Sequence, residues 1–350
     1  MTFKKYFLIV AVLFVLVVFT FYLQYERQGE ATPPVLGISA DRFTVNGATK
    51  FLLGLSYFDA LGWKVSDLDG LQSRGFNLIR IWLDWGIWTD RSRSFFNEDG
   101  SMKNAQTILD LVRAAAARGI VVDVTILNSC SVQGGECASS GFQNMEIAKT
   151  AIKNAVNLLR SEPNVFFDIV NERDTDVGIW TNSVMTDLVN AAKQQDANAI
   201  ITFSHTGDLD DGSGAMDAEL NTGIHLVAPH YRRTTGWYDQ TDQRVNATKG
   251  YLASVGRKIP VYLQEEQRRG FHTVPTYVVE DHPKEEFFQA AREAMNSGAA
   301  GWVFHTAAGF ELSDTRSIFE NLDNVEREVV DGLSGELDAS IKQLAGRIPG

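Results

Sequence analysis

Short apolar runs recur along the whole chain, at FLLGLSYF, FNLIRIWL, IVVDVTIL, VFFDIVN, AIITFSH, IHLVAPH, PVYLQE and AAGWVFH. Runs of this length without strict alternation are expected of strands covered on both faces. Between them lie AQTILDLVRAAAARG, MEIAKTAIKNAVNLLRS and KEEFFQAAREAMNSG, whose apolar residues return every three or four positions. That spacing predicts amphipathic helices, and two of the three close on glycine as helices often do. Eight strand-like runs alternating with helices predict an α/β protein with a parallel sheet, folded as a (β/α)8 TIM barrel. A hairpin is expected before the first run, at DRFTVNGATK, where Asn46-Gly47 is a tight-turn pair.

The N-terminus follows a different pattern. Lys4 and Lys5 precede residues 6–23, eighteen residues without a charge, at the lower limit of what spans a bilayer. The expectation is an uncleaved membrane anchor with the lysines on the cytoplasmic side; a cleaved signal peptide would export the same domain. Residues 1–30 are therefore set apart as signal-anchor and linker, and residues 31–350 as one barrel domain, membrane-anchored on the extracytoplasmic side or secreted.

An exported domain makes the two cysteines legible. Cys130 and Cys137 share the Gly/Ser-rich loop NSCSVQGGECASSG, and in an oxidising compartment they are expected to form a disulfide. Charge narrows the partners. The chain carries −12, and because its first thirty residues carry +1, the domain itself carries −13. An acidic domain without a long basic run is a poor match for nucleic acid. No oligomer is implied, so a monomer is expected.

In a barrel, polar residues that end the strands converge on one mouth. Asn171 and Glu172 close the fourth run, Glu265 and Glu266 the seventh, His230 and Tyr231 the sixth and His305 the eighth, while Arg80 lies within the second. Opposed carboxylates with no His-x-His pair to suggest a metal match glycoside hydrolysis: one carboxylic acid protonates the leaving oxygen and the other, ionised, attacks the sugar. No metal or organic cofactor is called for.

From about residue 37 to residue 330 the chain resembles the clan A glycoside hydrolases, most closely glycoside hydrolase family 5, retaining (β/α)8 enzymes acting mainly on β-linked glycans. The resemblance rests on the hairpin and FLLGLSYF, on Arg80 in LIRIW, on Asn171-Glu172, on His230, on PVYLQE and on Gly301-Trp302. It implies that Glu172 is the acid/base, that Asn171 binds the substrate 2-hydroxyl, that Glu265, five residues after Pro260, is the nucleophile, and that Arg80 stands beside it. The strand pleat also argues against Glu266, because neighbouring side chains turn to opposite faces.

Departures from the family pattern are equally visible. Arg173 stands where proline is usual after the Asn-Glu pair, strand six reads His230-Tyr231-Arg232 in place of His-x-Tyr, and His305 replaces the tryptophan that floors the sugar site. The substrate contacts expected are thus Arg80, Asn171, His230, Tyr231 and His305, with Trp85 and Trp237 as stacking residues on the loops. Arg232, Arg233, Arg268 and Arg269 follow strands six and seven; they raise an anionic glycan as substrate, against the plainer and preferred reading that they neutralise nearby acids or face solvent. A barrel that binds an oligo- or polysaccharide without cleaving it is the alternative function.

Overall fold

The structure, a computed structural model, describes residues 33–85, 91–134, 141–176, 178–207, 219–233, 235–269, 282–310, 312 and 316–345, the side chains of Arg91, Asp176, Arg268, Arg269 and residues 341–345 excepted. The apolar segment 6–23, Trp88 and Cys137 lie outside the described residues. Among the described residues no helix is long and apolar enough to cross a membrane. No free thiol occurs there either: Cys130 is buried and disulfide-bonded.

The expected hairpin is formed by β1 (Leu36–Ser39) and β2 (Arg42–Val45), with β3 (Ala48–Thr49) beside it. Asn46 and Gly47 both take positive φ, 53° and 78°, as a tight turn requires. Parallel strands follow: β4 (Leu52–Asp59), β5 (Leu78–Trp82), β6 (Val121–Asn128), β7 (Val165–Asn171) and β8 (Ile201–Thr202) pair in that order. On the other side of β4, β13 (Gly301–Thr306) pairs with it and with β11 (Tyr262–Leu263), giving a seven-strand parallel path. The fifth run is resumed by β9 (Ser204–Thr206), which pairs in parallel with β10 (Ala228–His230), and a parallel bridge from Val227 to Val261 leads on to β11. Every one of the eight apolar runs thus supplies a position in the curled sheet, as the (β/α)8 plan requires. A two-residue strand, β12 (Arg268–Arg269), pairs with the end of β13.

Helices cover the outside: α1 (Val65–Ser73), α2 (Ala105–Ala116), α3 (Met145–Leu159), α4 (Asn182–Gln195), α5 (Thr241–Ser254), α6 (Lys284–Ser297), the short α7 (Ile318–Asn321) and α8 (Asn324–Ala345). Their buried stripes, such as Ile108, Leu111, Val112 and Ala115 on α2, join the outward residues of the strands in the larger apolar core. Gly298 ends α6 in the left-handed conformation, where a side chain would be strained.

Inside the sheet the layers differ in character. At the N-terminal ends of the strands, Leu52, Leu78, Val121, Phe166, Tyr262 and Val303 pack around Phe43 of the hairpin. The Leu36 N–H also donates to the Pro163 carbonyl, so the hairpin closes that end of the barrel. Above this apolar plug come Arg80, Asp123, Asp168 and Gln264, all fully buried. The mouth lies above them.

Candidate active site

Arg80 projects inward from β5 into a nest of acceptors. Its Nη1 donates to Glu265 Oε1 at 2.5 Å, its Nη2 to Asn171 Oδ1 at 2.7 Å and Asp168 Oδ2 at 3.1 Å, and its Nε to Thr125 Oγ1 at 3.2 Å. Burial pulls the guanidinium pKa down, but the carboxylates of Glu265, Asp123 and Asp168 raise it by more, so the charge is permanent. Burial pushes Asp123 up to about 7 and also raises Asp168, with Arg80 opposing both shifts.

Glu265 follows β11 and is buried, yet its pKa is held well below the usual carboxylate range. Burial acts to raise it; the charges of His305, His230 and Arg80 outweigh burial and lower it. The second oxygen, Oε2, lies 3.2 Å from His305 Nδ1, accepts from Arg233 Nη2 at 3.2 Å and is 4.0 Å from His230 Nδ1. Glu265 is therefore an ionised carboxylate with cationic groups on both oxygens.

Glu172 sits just past β7 with φ of 49°, a left-handed conformation uncommon for a residue with a long side chain. The Ser204 hydroxyl accepts from its backbone N–H at 2.9 Å. Its side chain is the more open of the two glutamates, 28 % exposed against 6 % for Glu265. His230 stands between them, with Nδ1 at 2.9 Å from Glu172 Oε1 and Nε2 at 3.3 Å from Gln264 Oε1. Gln264 is oriented by its own amide nitrogen, which donates to Asp123 Oδ2 at 2.8 Å. The amide oxygen thus faces His230, so Nε2 of the imidazole carries a proton and Nδ1 shares one with Glu172.

One carboxylate oxygen of Glu172, one ring nitrogen of His230 and one carboxylate oxygen of Glu265 all lie within 4.8 Å of one another. The same three groups could ligate a metal ion, but the donor set fits one poorly: an incoming cation would meet Arg80, Arg233 and His305 already on Glu265. Asn171 joins them through its amide oxygen, which accepts from both Arg80 and the Ser204 hydroxyl at 3.1 Å, leaving the amide nitrogen as its donor toward the mouth.

The remaining expected contacts divide. His305 is only 1 % exposed and faces Glu265 and the edges of the Phe58 and Phe310 rings, so it serves the carboxylate and offers no surface to a sugar. Trp85 lies at the mouth, but Phe58, Trp82 and Phe310 cover its ring and its Nε1 donates to the Phe310 carbonyl; it walls the pocket and is not an open platform. The expected sugar contacts of His305 and Trp85 are thus overturned, and two further expectations fail more completely. Tyr231 points away, its hydroxyl 2.9 Å from Thr248 Oγ1 on α5, because the residue after an inward His230 faces the helices. Trp237 is 2 % exposed and packs against Phe287 of α6 and His282, in the outer core.

The chain matches the model of the cellulase family, glycosyl hydrolase family 5, over residues 58–304. It belongs to glycosyl hydrolase family 5. That membership makes the protein a glycosidase, and solved structures share its fold at low sequence identity. It is similar to the β-1,4-D-mannanase of Cryptopygus antarcticus, with 16% identity, coverage of 86% of this chain and 95% of that one, and a TM-score of 0.57. It is similar also to the β-mannanase of the blue mussel Mytilus edulis, at 16% identity, 87% and 97% coverage and a TM-score of 0.55. A β-glucanase of Saccharophagus degradans, solved with cellotetraose, aligns at 13% identity, 89% and 96% coverage and a TM-score of 0.61.

Within this family 5 barrel the sequence reading overlooked Asp123, Asp168 and Gln264, and counted Arg233 only as one of four loop charges. A signal for the two aspartates was present: each is a lone charge inside an otherwise apolar strand, which a barrel can bury only on its inner face beside a cation. Arg233 lies beyond the strand, where no periodicity applies.

Proposed function

We propose that the protein is a retaining β-glycosidase in which Glu265 is the nucleophile and Glu172 the acid/base. The observation carrying this reading is the approach of the two carboxylates to within 4.8 Å, with one of them held ionised. Retaining enzymes keep their carboxyl groups about 5–5.5 Å apart, close enough for direct attack, whereas inverting enzymes need room for a water between them.

In the first step a Glu265 oxygen attacks the anomeric carbon. The bond to the leaving oxygen breaks with its electron pair, and that oxygen takes the proton shared by Glu172 and His230. The second step runs the other way: Glu172 removes a proton from water, whose oxygen displaces Glu265 from the same carbon. His230 keeps that proton at the Glu172 edge because Gln264 fixes the other ring nitrogen as a donor. Asn171 offers its amide nitrogen to the 2-hydroxyl. Arg80 holds Glu265 ionised and aims it.

The apolar segment 6–23, together with the disulfide at Cys130, supports placing this chemistry outside the cytoplasm, with Cys137 as the disulfide partner. The test is reducing-end release from a panel of β-linked glycans, with the domain from about Ala31 onward beside its Glu265→Ala variant. Cleavage by the parent and a loss of at least about 10⁴-fold in the variant are expected. Equal activity in both proteins, or tight glycan binding without cleavage by either, would replace the reading with a glycan-binding barrel.

A further inference from the structure

Arg233 is placed where the proposed reaction leaves its charge unbalanced. Two contacts fix its guanidinium: Nε donates to the Glu266 carbonyl at 2.6 Å, and Nη2 to Glu265 Oε2 at 3.2 Å. Its only carboxylate contact among the described residues is Glu265, and the side chain remains 31 % exposed at the mouth. Arg80 differs, because Asp168 and Asp123 neutralise it independently of Glu265. When Glu265 becomes an ester its charge is gone. Arg80 keeps its counterions then, and Arg233 has none among the described residues, beside a sugar that has just passed through a positively charged transition state.

Such an arrangement suits a substrate that brings a negative charge of its own. The two oxygens of Glu265 have different partners: Oε1 accepts from Arg80, which also holds the Asn171 amide proposed for the 2-hydroxyl, while Oε2 accepts from Arg233, so a sugar whose 2-hydroxyl meets Asn171 would turn its ring oxygen and C5 toward the second arginine. Nη1 of Arg233 has no hydrogen-bond partner among the described residues, so the free edge of the fork is open to a planar acceptor. The pairing of β12 with β13, Arg268 opposite His305 and Arg269 opposite Thr306, brings two more arginines to the same end of the barrel, in a domain whose overall charge is strongly negative. We propose that Arg233 is a specificity residue for a uronic acid, receiving the C5 carboxylate of the sugar that Glu265 attacks. The inference rests on the retaining-glycosidase reading for its placement of the sugar.

The test uses matched pairs that differ only in a carboxylate or a hydroxymethyl group at C5: 4-nitrophenyl β-glucuronide and β-glucoside, β-galacturonide and β-galactoside, and oligomers of β-1,4-mannuronate and β-1,4-mannose. Each is assayed for cleavage, and for binding by calorimetry, at physiological ionic strength with the domain and its Arg233→Leu and Arg233→Lys variants. In one pair the acidic member is expected to be cleaved with a kcat/KM about 10- to 100-fold above its neutral twin. Arg233→Leu should bring that ratio near one, because its loss on the acidic substrate exceeds its loss on the neutral one by about the same 10- to 100-fold, with Arg233→Lys in between. Cleavage of neutral members with no preference for any acidic twin overturns the uronate inference and leaves the glycosidase reading standing. Arg233-dependent binding of an acidic member without cleavage overturns the nucleophilic role of Glu265, and with it the placement of that carboxylate beside an attacked sugar, leaving only a uronate-binding Arg233. If no pair is either bound or cleaved, both fall.

Discussion

Glu265 and Glu266 are adjacent and equally hidden from water, and they are in opposite states. Glu265 turns into the barrel and meets Arg80, Arg233, His305 and His230; its carboxyl is held far below the usual range. Glu266 turns outward, where Thr241 Oγ1 donates to one oxygen at 3.0 Å and Trp302 Nε1 to the other. Burial pushes that carboxyl up to about 7, because neutral donors lower it by too little to compensate. Depth alone therefore does not set the charge of a buried acid. For this pair the sign follows from how much positive charge opposes burial: several cations crowd Glu265, while Glu266 is held mainly by neutral hydrogen-bond donors.

The largest way to break this contrast is to remove the cation. Arg80→Leu leaves Glu265, Asp168 and Asp123 buried without their shared counterion, and a loss of about 3–5 kcal/mol is expected, read as a fall in the denaturation midpoint. A variant as stable as the parent would show that water reaches this layer and that Arg80 is not its electrostatic centre.

Next comes the outer acid. The folded pKa of Glu266, about 7, lies above its unfolded value, so its contribution is complete below about pH 4.5 and is lost as pH rises through 7. The shift corresponds to about 3 kcal/mol between those limits. Chemical denaturation of the parent at pH 5 and pH 8 should show this fall in stability, and Glu266→Gln, which cannot ionise, should reduce it. An identical pH dependence in the variant would place the titration elsewhere, with Asp123 the next group to examine.

Replacing His305 with alanine sharpens the inner side. One of the positive neighbours that depress Glu265 is removed, so the acidic limb of the activity profile should move to higher pH, with less than about a tenfold loss at its optimum. An unmoved limb would mean that Arg80 and His230 suffice. The smallest effect is expected from a chelator: if Glu172, His230 and Glu265 work without a metal, prolonged dialysis against EDTA should leave cleavage unchanged, and restoration of a lost activity by one added ion would reassign the site.

Much of this contrast is legible in the sequence. The eight apolar runs placed the barrel strands, and the strand ends placed Glu172, Glu265, Asn171 and His230 at one mouth. That Glu265 and Glu266 face opposite ways was expected from the pleat, but a regular strand does not supply it. Tyr262 and Gln264 both face inward, so an unbroken β11 would have turned Glu266 inward as well; the strand stops at Leu263, and the bend after it brings Glu265 in instead. A break of that kind has no signature in hydrophobic pattern. The aromatic residues were less legible because stacking on a sugar and packing in a core make the same demand on composition. Trp237 and Tyr231 went to the helix layer, and only the side to which the backbone turned them could have said so.

The hairpin that seals the base of the barrel fixes an orientation as well as a core. Phe43 is lodged among the first residues of the strands, and β1 begins at Leu36, so the chain enters the domain at the end opposite Glu172 and Glu265. The two ends of the strands are thus given to different tasks: the first residues receive the entering chain and its apolar seal, and the last carry Glu172 and Glu265.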